Sequence, residues 1–162
     1  MTEEKIKQTF VKALNSLMEV KENVITELRS FIDGVCQTGE LMEEHDSVEQ
    51  ELVVLAEQLE TLIRENARVA QDQTVYLKQE NEIRARYLEK QGHLATLDEQ
   101  IAERERKRKT LEGVIQVVCG INREPVEFGE ELWGGLLDHI VVKGDGQVIV
   151  VFKGEIEVGV DG

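Results

Sequence analysis

The 162-residue chain is poor in the residues that build large cores and metal sites. Only 4% of its residues are aromatic and it has a single tryptophan, so one large compact core is not expected. Its two cysteines, Cys36 and Cys119, lie far apart and form no CxxC pair, which predicts structural thiols and no zinc site. It has no apolar run long enough for a membrane span and no signal-like N-terminus, so we expect a soluble, intracellular protein.

Acidic residues outnumber basic residues by 33 to 19, which gives a formal net charge of −14. A module that binds duplex DNA by itself normally carries a basic face, so the composition argues against autonomous DNA binding. The one glycine-rich stretch, "GDGQ", has no following helix that would cradle a phosphate. No residues form a catalytic pattern either. We therefore predict a chain that is not an enzyme and uses no cofactor.

Most of the sequence has the pattern of long amphipathic helices. Residues 1–36 predict a first helix that ends near Gly34, with one apolar stripe made of Phe10, Leu14, Leu17, Val24, Leu28, Phe31 and Val35. A heptad repeat then begins at Leu41 and continues through Leu55 and Leu62. The same apolar seam returns from Ile83 to Val118, which is typical of a coiled coil.

The segment "ENARVAQDQTVY", residues 65–76, separates the two heptad regions. Residues 40–51 carry six acidic residues and no Lys or Arg, whereas residues 104–109 carry five basic residues interrupted only by Glu105. A continuous rod would hold these two blocks about 90 Å apart, at 1.5 Å per residue, whereas a reversal would bring them face to face. We therefore predict an antiparallel coiled-coil arm over residues 38–119, with its tip near residues 67–76.

Two registers of this hairpin fit the heptads. The first pairs Leu55 with Leu94, and the second pairs Leu55 with Tyr87, one heptad away. Attraction between the acidic and basic blocks favours the first register. Asp72, which is suited to cap a helix that starts at Gln73, favours the second. The sequence leaves both registers open.

The pattern changes in residues 126–162. A short helix begins near Gly129, two β-branched runs meet at the turn signal Asp145-Gly146, and a third strand follows a turn at Gly154. A lone β-hairpin is marginal in water, so we expect it to pack on the apolar stripe of the first helix. The predicted fold is mostly α: a long antiparallel two-helix coiled-coil hairpin on a small α+β base, which residues 1–36 and 126–162 form.

Two sets of residues are candidates for binding partners. The first lies at the tip, where its members form either a small apolar contact surface or simple loop packing: Asn66, Val69, Val75, Tyr76 and Leu77. The second is the basic run, which either contacts phosphates or complements the acidic block across the hairpin: Arg104, Arg106, Lys107, Arg108 and Lys109. His45 falls in the seam and is interpreted as a polar seam residue rather than a metal ligand.

The succession "FVKALNSL", "ENARVAQDQTVY" and "EFGEELWGGLLDHIVVKGDGQVIVVFK" resembles the C-terminal region of large serine recombinases, the integrases and transposases of bacterial phages and mobile elements. The resemblance covers essentially the whole chain and rests on the order of these parts. It implies that the parent protein carries an upstream catalytic serine domain and a zinc ribbon that binds DNA. Zinc is expected only in that absent ribbon, just after which this fragment would begin.

The resemblance also implies a function. The arms of different subunits contact each other, which helps recombinase dimers on two DNA attachment sites to form a synaptic tetramer. A directionality factor can redirect this contact. The implied location is the bacterial cytoplasm, at the nucleoid during recombination, with no membrane partner. Two alternatives stay open: a structural coiled-coil dimerisation spacer, and a weak DNA-backbone-binding module that uses the basic run together with Lys5, Lys7 and Lys12.

Overall fold

The computed structural model describes residues 2–69, 71–122, 125–144 and 146–160. It is mostly helical, with one small antiparallel sheet; its elements are α1 (Glu3–Glu19), α2 (Lys21–Val35), α3 (Gly39–Arg68), α4 (Gln73–Gly120), α5 (Glu130–Leu136), β1 (Leu137–Val142), β2 (Val148–Phe152) and β3 (Ile156–Val160). The chain divides into two compact units: the α+β unit, residues 1–37 and 105–162, and the hairpin unit, residues 38–104. The boundary at residue 104 falls inside α4.

The helix predicted for residues 1–36 is two helices, because the backbone leaves helical geometry at Val20, with φ −113° and ψ 19°. The break shifts the buried face of α2. Ile25 and Ile32 are buried, whereas Phe31 and Val35 from the predicted stripe are exposed. The break carries no Pro or Gly, so a continuous stripe was the natural but wrong prediction for this segment.

The end of α2 also differs slightly from the prediction. Gly34 lies inside the helix, which ends at Val35 with Cys36 as its C-terminal cap. Thr38 stands at the N-cap position of α3, but its hydroxyl donates to the sulfur of Met42 at 3.7 Å rather than accepting a backbone N–H. Differences of one or two residues at helix ends are usual, because the ends fray.

The sheet has the order β1-β2-β3, with both pairs antiparallel, which confirms the predicted hairpin and third strand. The first turn is wider than the predicted two-residue turn. The Lys143 N–H donates to the Gln147 carbonyl at 2.9 Å, and the Gly146 N–H donates to the Lys143 carbonyl at 3.1 Å. Asp145, the other half of the turn signal, lies outside the described residues. Gly146 has φ +89°, which glycine adopts without strain.

An aromatic cluster centres the core of the α+β unit. Phe10 of α1 is fully buried, and its ring lies 5.0 Å from the ring of Trp133, 5.8 Å from Phe152 and 6.4 Å from Phe128, measured between centroids. Edge-to-face aromatic pairs at such distances add about 0.5–1.5 kcal/mol beyond the burial of their area. The sheet therefore packs on α1, and four of the chain's aromatic residues meet in the core of the α+β unit.

A side-chain amide fixes the segment that leads into α5. The Asn15 Nδ2 group donates to the Val126 carbonyl at 3.0 Å, and the Val126 N–H donates to the Asn15 Oδ1 atom at 2.8 Å. Val126 is itself buried. This reciprocal pair satisfies backbone groups that would otherwise lie unpaired beside the core.

In the hairpin unit, α3 and α4 run antiparallel in the second of the two predicted registers. The Lys90 Nζ atom lies 2.6 Å from the Glu51 Oε2 atom, and the Asp72 Oδ1 atom accepts the Thr74 N–H at 2.8 Å. The second register places residue 91 opposite Glu51. The first would place residue 98 there and move Lys90 about 12 Å along the axis, at 1.5 Å per residue. The register favoured by the charge blocks was therefore wrong.

Candidate functional site

The chain reverses between Arg68, where α3 ends, and Gln73, where α4 begins. The Val69 N–H still donates to the Glu65 carbonyl at 3.0 Å, and Val69 itself is extended, with φ −129° and ψ 132°. Across the reversal, the Gln73 Nε2 group donates to the Asn66 Oδ1 atom at 3.1 Å. Asn66, a polar residue in the apolar seam, is thus partnered by the first residue of the returning helix.

Apolar side chains project from this reversal into solvent. Val69 is 65% exposed, Val75 is 53% exposed and Leu77 is 52% exposed. Tyr76 and Asn66 are half-buried. The structure thus brings the five predicted tip residues together at one end of the hairpin unit; Ala70, between them, lies outside the described residues. Exposed apolar side chains at one end of a unit make that end a candidate contact surface.

A short polar relay extends from Tyr76 along α4. The Glu80 carboxylate accepts hydrogen bonds from the Tyr76 hydroxyl and from Arg84, whose Nη2 atom lies 2.7 Å from the Glu80 Oε1 atom. The hydrogen bond from Arg84 lowers the pKa of Glu80, and that from Tyr76 acts in the same direction. Partial desolvation raises the pKa of Tyr76, and its bond to Glu80 adds to the effect. The relay holds the Tyr76 ring in place beside the reversal.

The hairpin unit has little interior of its own. Among its described residues only Val48, Leu55 and Leu97 are buried apolar side chains. Eight large apolar side chains of the same unit are exposed: Met42, Val53, Val54, Ile63, Val69, Val75, Leu77 and Leu88. Two helices bury only one side of each other, so this pattern leaves apolar surface that a further helical layer would cover.

Sequence reasoning missed a groove on one side of the hairpin unit. It has a volume of about 550 Å³ and is lined by Ala56, Leu59, Glu60, Ile63, Arg84, Tyr87, Leu88 and Gln91. A signal for it does exist in the sequence. Ile63 and Leu88 each directly follow a seam residue, Leu62 and Tyr87, and a helix turns about 100° per residue, so they widen the apolar stripe toward one side.

The basic run is partly engaged within the α+β unit. The Lys107 Nζ atom lies 3.5 Å from the Glu155 Oε1 atom and 4.8 Å from the centroid of the Phe31 ring. The Arg108 Nε atom donates to the Glu112 Oε1 atom at 3.1 Å. The other three members, Arg104, Arg106 and Lys109, are exposed. Neither Lys107 nor Arg108 therefore presents an unpaired charge to a phosphate.

The acidic block finds partners on α4 instead. Besides the Glu51–Lys90 pair, the Glu44 Oε1 atom lies 2.9 Å from the His93 Nε2 atom. His45, half-buried in the seam, places its Nε2 atom 3.1 Å from the Asp98 Oδ1 atom. Its ring also lies near Asp46 and Glu49, with potential ligand atoms of all three within 4.8 Å of one another. The contact with Asp98 gives His45 a role in holding the two helices together.

No family model, curated protein or solved structure matches the chain. Among the described residues, no helix combines the length and the apolar character needed to cross a lipid bilayer. The candidate site is therefore defined by its own geometry: a closed helical reversal with an exposed apolar surface.

Proposed function

We propose that this chain is a non-catalytic interaction module, the coiled-coil arm and adjoining base of a large serine recombinase. The hairpin unit contacts the hairpin units of other subunits when DNA attachment sites are brought together. The same contact contributes to directional control, under a directionality factor. The parent protein binds DNA through upstream domains, in the bacterial cytoplasm.

We also infer that α3 and α4 pack as a coiled coil. The buried residues Val48 and Leu55 are seven apart, as the heptad repeat requires, and Leu97 on α4 is buried as well. The half-buried seam residues Leu62 and Tyr87 continue the same stripe toward the reversal.

The observation that carries the proposal is the exposed apolar surface at the reversal. Val69, Val75 and Leu77 are each more than half exposed at the one place where the two helices are joined. A small surface of this kind gives a weak contact in the free protein. Two such contacts within one synaptic complex strengthen each other through their effective concentration, without making free subunits aggregate.

Sedimentation of the chain over a wide concentration range tests the proposal. We expect weak self-association at high concentration, which Val69→Glu combined with Tyr76→Glu abolishes, because burying charge at an apolar contact is costly. Val53→Glu is the matched control, since Val53 is 58% exposed on α3 but lies away from the reversal. Unchanged association, and unchanged synapsis when the same pair is introduced into the parent recombinase, would refute the proposed role.

The two alternatives have less support. A spacer built from a continuous rod requires α3 and α4 to point in the same direction, whereas Glu51 and Lys90 of one chain pair across antiparallel helices. A module that binds the DNA backbone through the basic run would use Lys107 and Arg108, which are paired with Glu155 and Glu112.

A further inference from the structure

The groove of the hairpin unit has an apolar floor and charged walls of opposite sign. Leu88 is 66% exposed and Ile63 is 43% exposed, and both line it. Glu60 stands on the α3 wall and Arg84 on the α4 wall. Leu77 precedes Leu88 by eleven residues, or three helical turns, so the same side of α4 carries apolar surface toward the reversal.

The two charged residues lie at nearly the same height along the hairpin unit. In the register marked by the Glu51–Lys90 pair, residues 81–82 lie opposite Glu60. Arg84 is two or three residues further on, about 3–5 Å along the axis. Both also pair with a residue of their own helix: Glu60 with Arg64 at 2.9 Å, and Arg84 with Glu80 at 2.7 Å.

We propose that a second copy of this chain occupies the groove. The inference rests on the proposed function, which it deepens by naming the surface and the orientation. The two hairpin units pack face to face about a two-fold axis that runs parallel to their helices, which gives a four-helix arrangement. In it, α3 of one copy lies over α4 of the other, Ile63 and Leu88 are covered, and Glu60 of each copy faces Arg84 of its partner.

Charge selects this orientation over the reverse one. A two-fold axis that crosses the helices at right angles would lay α3 over α3 and α4 over α4. Glu60 would then face Glu60, and Arg84 would face Arg84, and such like-charge contacts disfavour a complex. The parallel axis instead forms two opposite-charge contacts from the same residues.

Charge also points to a copy of the chain rather than to an unrelated helix. A groove that receives a basic or an acidic segment would carry rim charges of the other sign on both walls. The charged residue that lines this groove is acidic on α3 and basic on α4, at matching heights, and such an arrangement is complementary to itself.

Sedimentation equilibrium of the full chain compares Leu88→Gln with Val53→Gln. Both changes replace an exposed apolar side chain in the middle of a helix, but only Leu88 lines the groove. Each dimer loses two leucine contacts in L88Q, so its dissociation constant should rise about tenfold or more. The V53Q variant should stay within about twofold of the unchanged chain.

Disulfide trapping tests the orientation. E60C and R84C chains are prepared separately with C119S, because Cys119 is exposed while Cys36 is buried, and then mixed and oxidised. Predominant heterodimers that join position 60 to position 84 support the parallel two-fold axis. Predominant homodimers, joined 60 to 60 and 84 to 84, overturn it in favour of the reverse orientation.

These measurements distinguish failure of the groove contact from failure of the proposed function. Absence of any self-association by the unchanged chain overturns both the groove contact and the proposed function. Self-association that V69E with Y76E abolishes, but that L88Q leaves unchanged, overturns only the groove contact and leaves the tip as the contact surface.

Discussion

Replacing Gly154 with alanine should destabilise the α+β unit for two separable reasons. Gly154 joins β2 to β3 with φ +89°, where a residue with a Cβ atom is strained by about 1–2 kcal/mol. The added Cβ atom would also lie 2.7 Å from the Leu111 Cδ2 atom and 3.5 Å from the Leu28 Cδ2 atom. Both leucines are buried, so neither can turn away into solvent. Such overpacking costs about 1–3 kcal/mol, which gives a total of about 2–5 kcal/mol.

Gly146→Ala is the matched control. Gly146 has the same φ of +89° in the other turn of the sheet, but an added Cβ atom there meets nothing within 4 Å. The control should therefore lose only the backbone part, about 1–2 kcal/mol. Urea unfolding followed by the fluorescence of Trp133, the one tryptophan of the chain, measures both variants. At about 2 kcal/mol per molar urea, the midpoint of G154A should fall by about 1–2.5 M. Equal losses in the two variants would refute the contact with Leu111.

Two further changes test the reversal. Asp72→Ala removes the cap of the Thr74 N–H and should lower the free energy of unfolding by about 1 kcal/mol, measured by heat or urea. Asp72→Asn should be close to neutral, because asparagine caps a helix equally well. Equal losses in the two variants would contradict a capping role. The lowered pKa of Glu80 means that its ionic contact with Arg84 stabilises the fold above the unfolded pKa and is lost as the pH falls through the folded one. Carboxyl NMR titration should show Glu80 titrating at higher pH in Arg84→Gln, and an identical curve in both proteins would rule out this contact.

The periodic features of the sequence predicted the architecture well. The return of the heptads from Ile83 onward predicted a second long helix, and the acidic and basic blocks predicted that this helix runs back along the first. The β-branched runs and the glycine at position 154 predicted all three strands of the sheet. These signals are strong because they repeat along the chain or fix a backbone geometry locally.

The hairpin register shows that the helix cap at Asp72 was a better guide than the charge blocks. The charge blocks favoured one register and the cap at Asp72 favoured the other, which the structure adopts. A cap forms short hydrogen bonds with particular N–H groups, whereas exposed ion pairs are weak and can exchange partners. In the acidic block, Glu51 forms its ion pair with Lys90 of α4 instead of with the basic run.

Other features could not be read from the sequence. The break at Val20 carries no proline, glycine or capping side chain, so only the packing of α1 and α2 in the folded unit distinguishes it from a continuous helix. The predicted tip residues depended only on locating the reversal. The groove depends on the relative rotation of two helices, which the register fixes, so Ile63 and Leu88 became recognisable as a pair only in three dimensions.

The hydrogen bond between the Gln73 and Asn66 side chains affects how the hairpin unit responds to ionic strength. The ion pair between Glu51 and Lys90, which links α3 to α4, lies far along the helices from the reversal. Dissolved ions weaken such exposed pairs, because the Debye length falls to about 3 Å at 1 M salt. The bond between Gln73 and Asn66 joins two uncharged groups and is not screened in this way. Salt therefore weakens the Glu51–Lys90 contact between the two helices and leaves the hydrogen bond that closes the reversal unscreened.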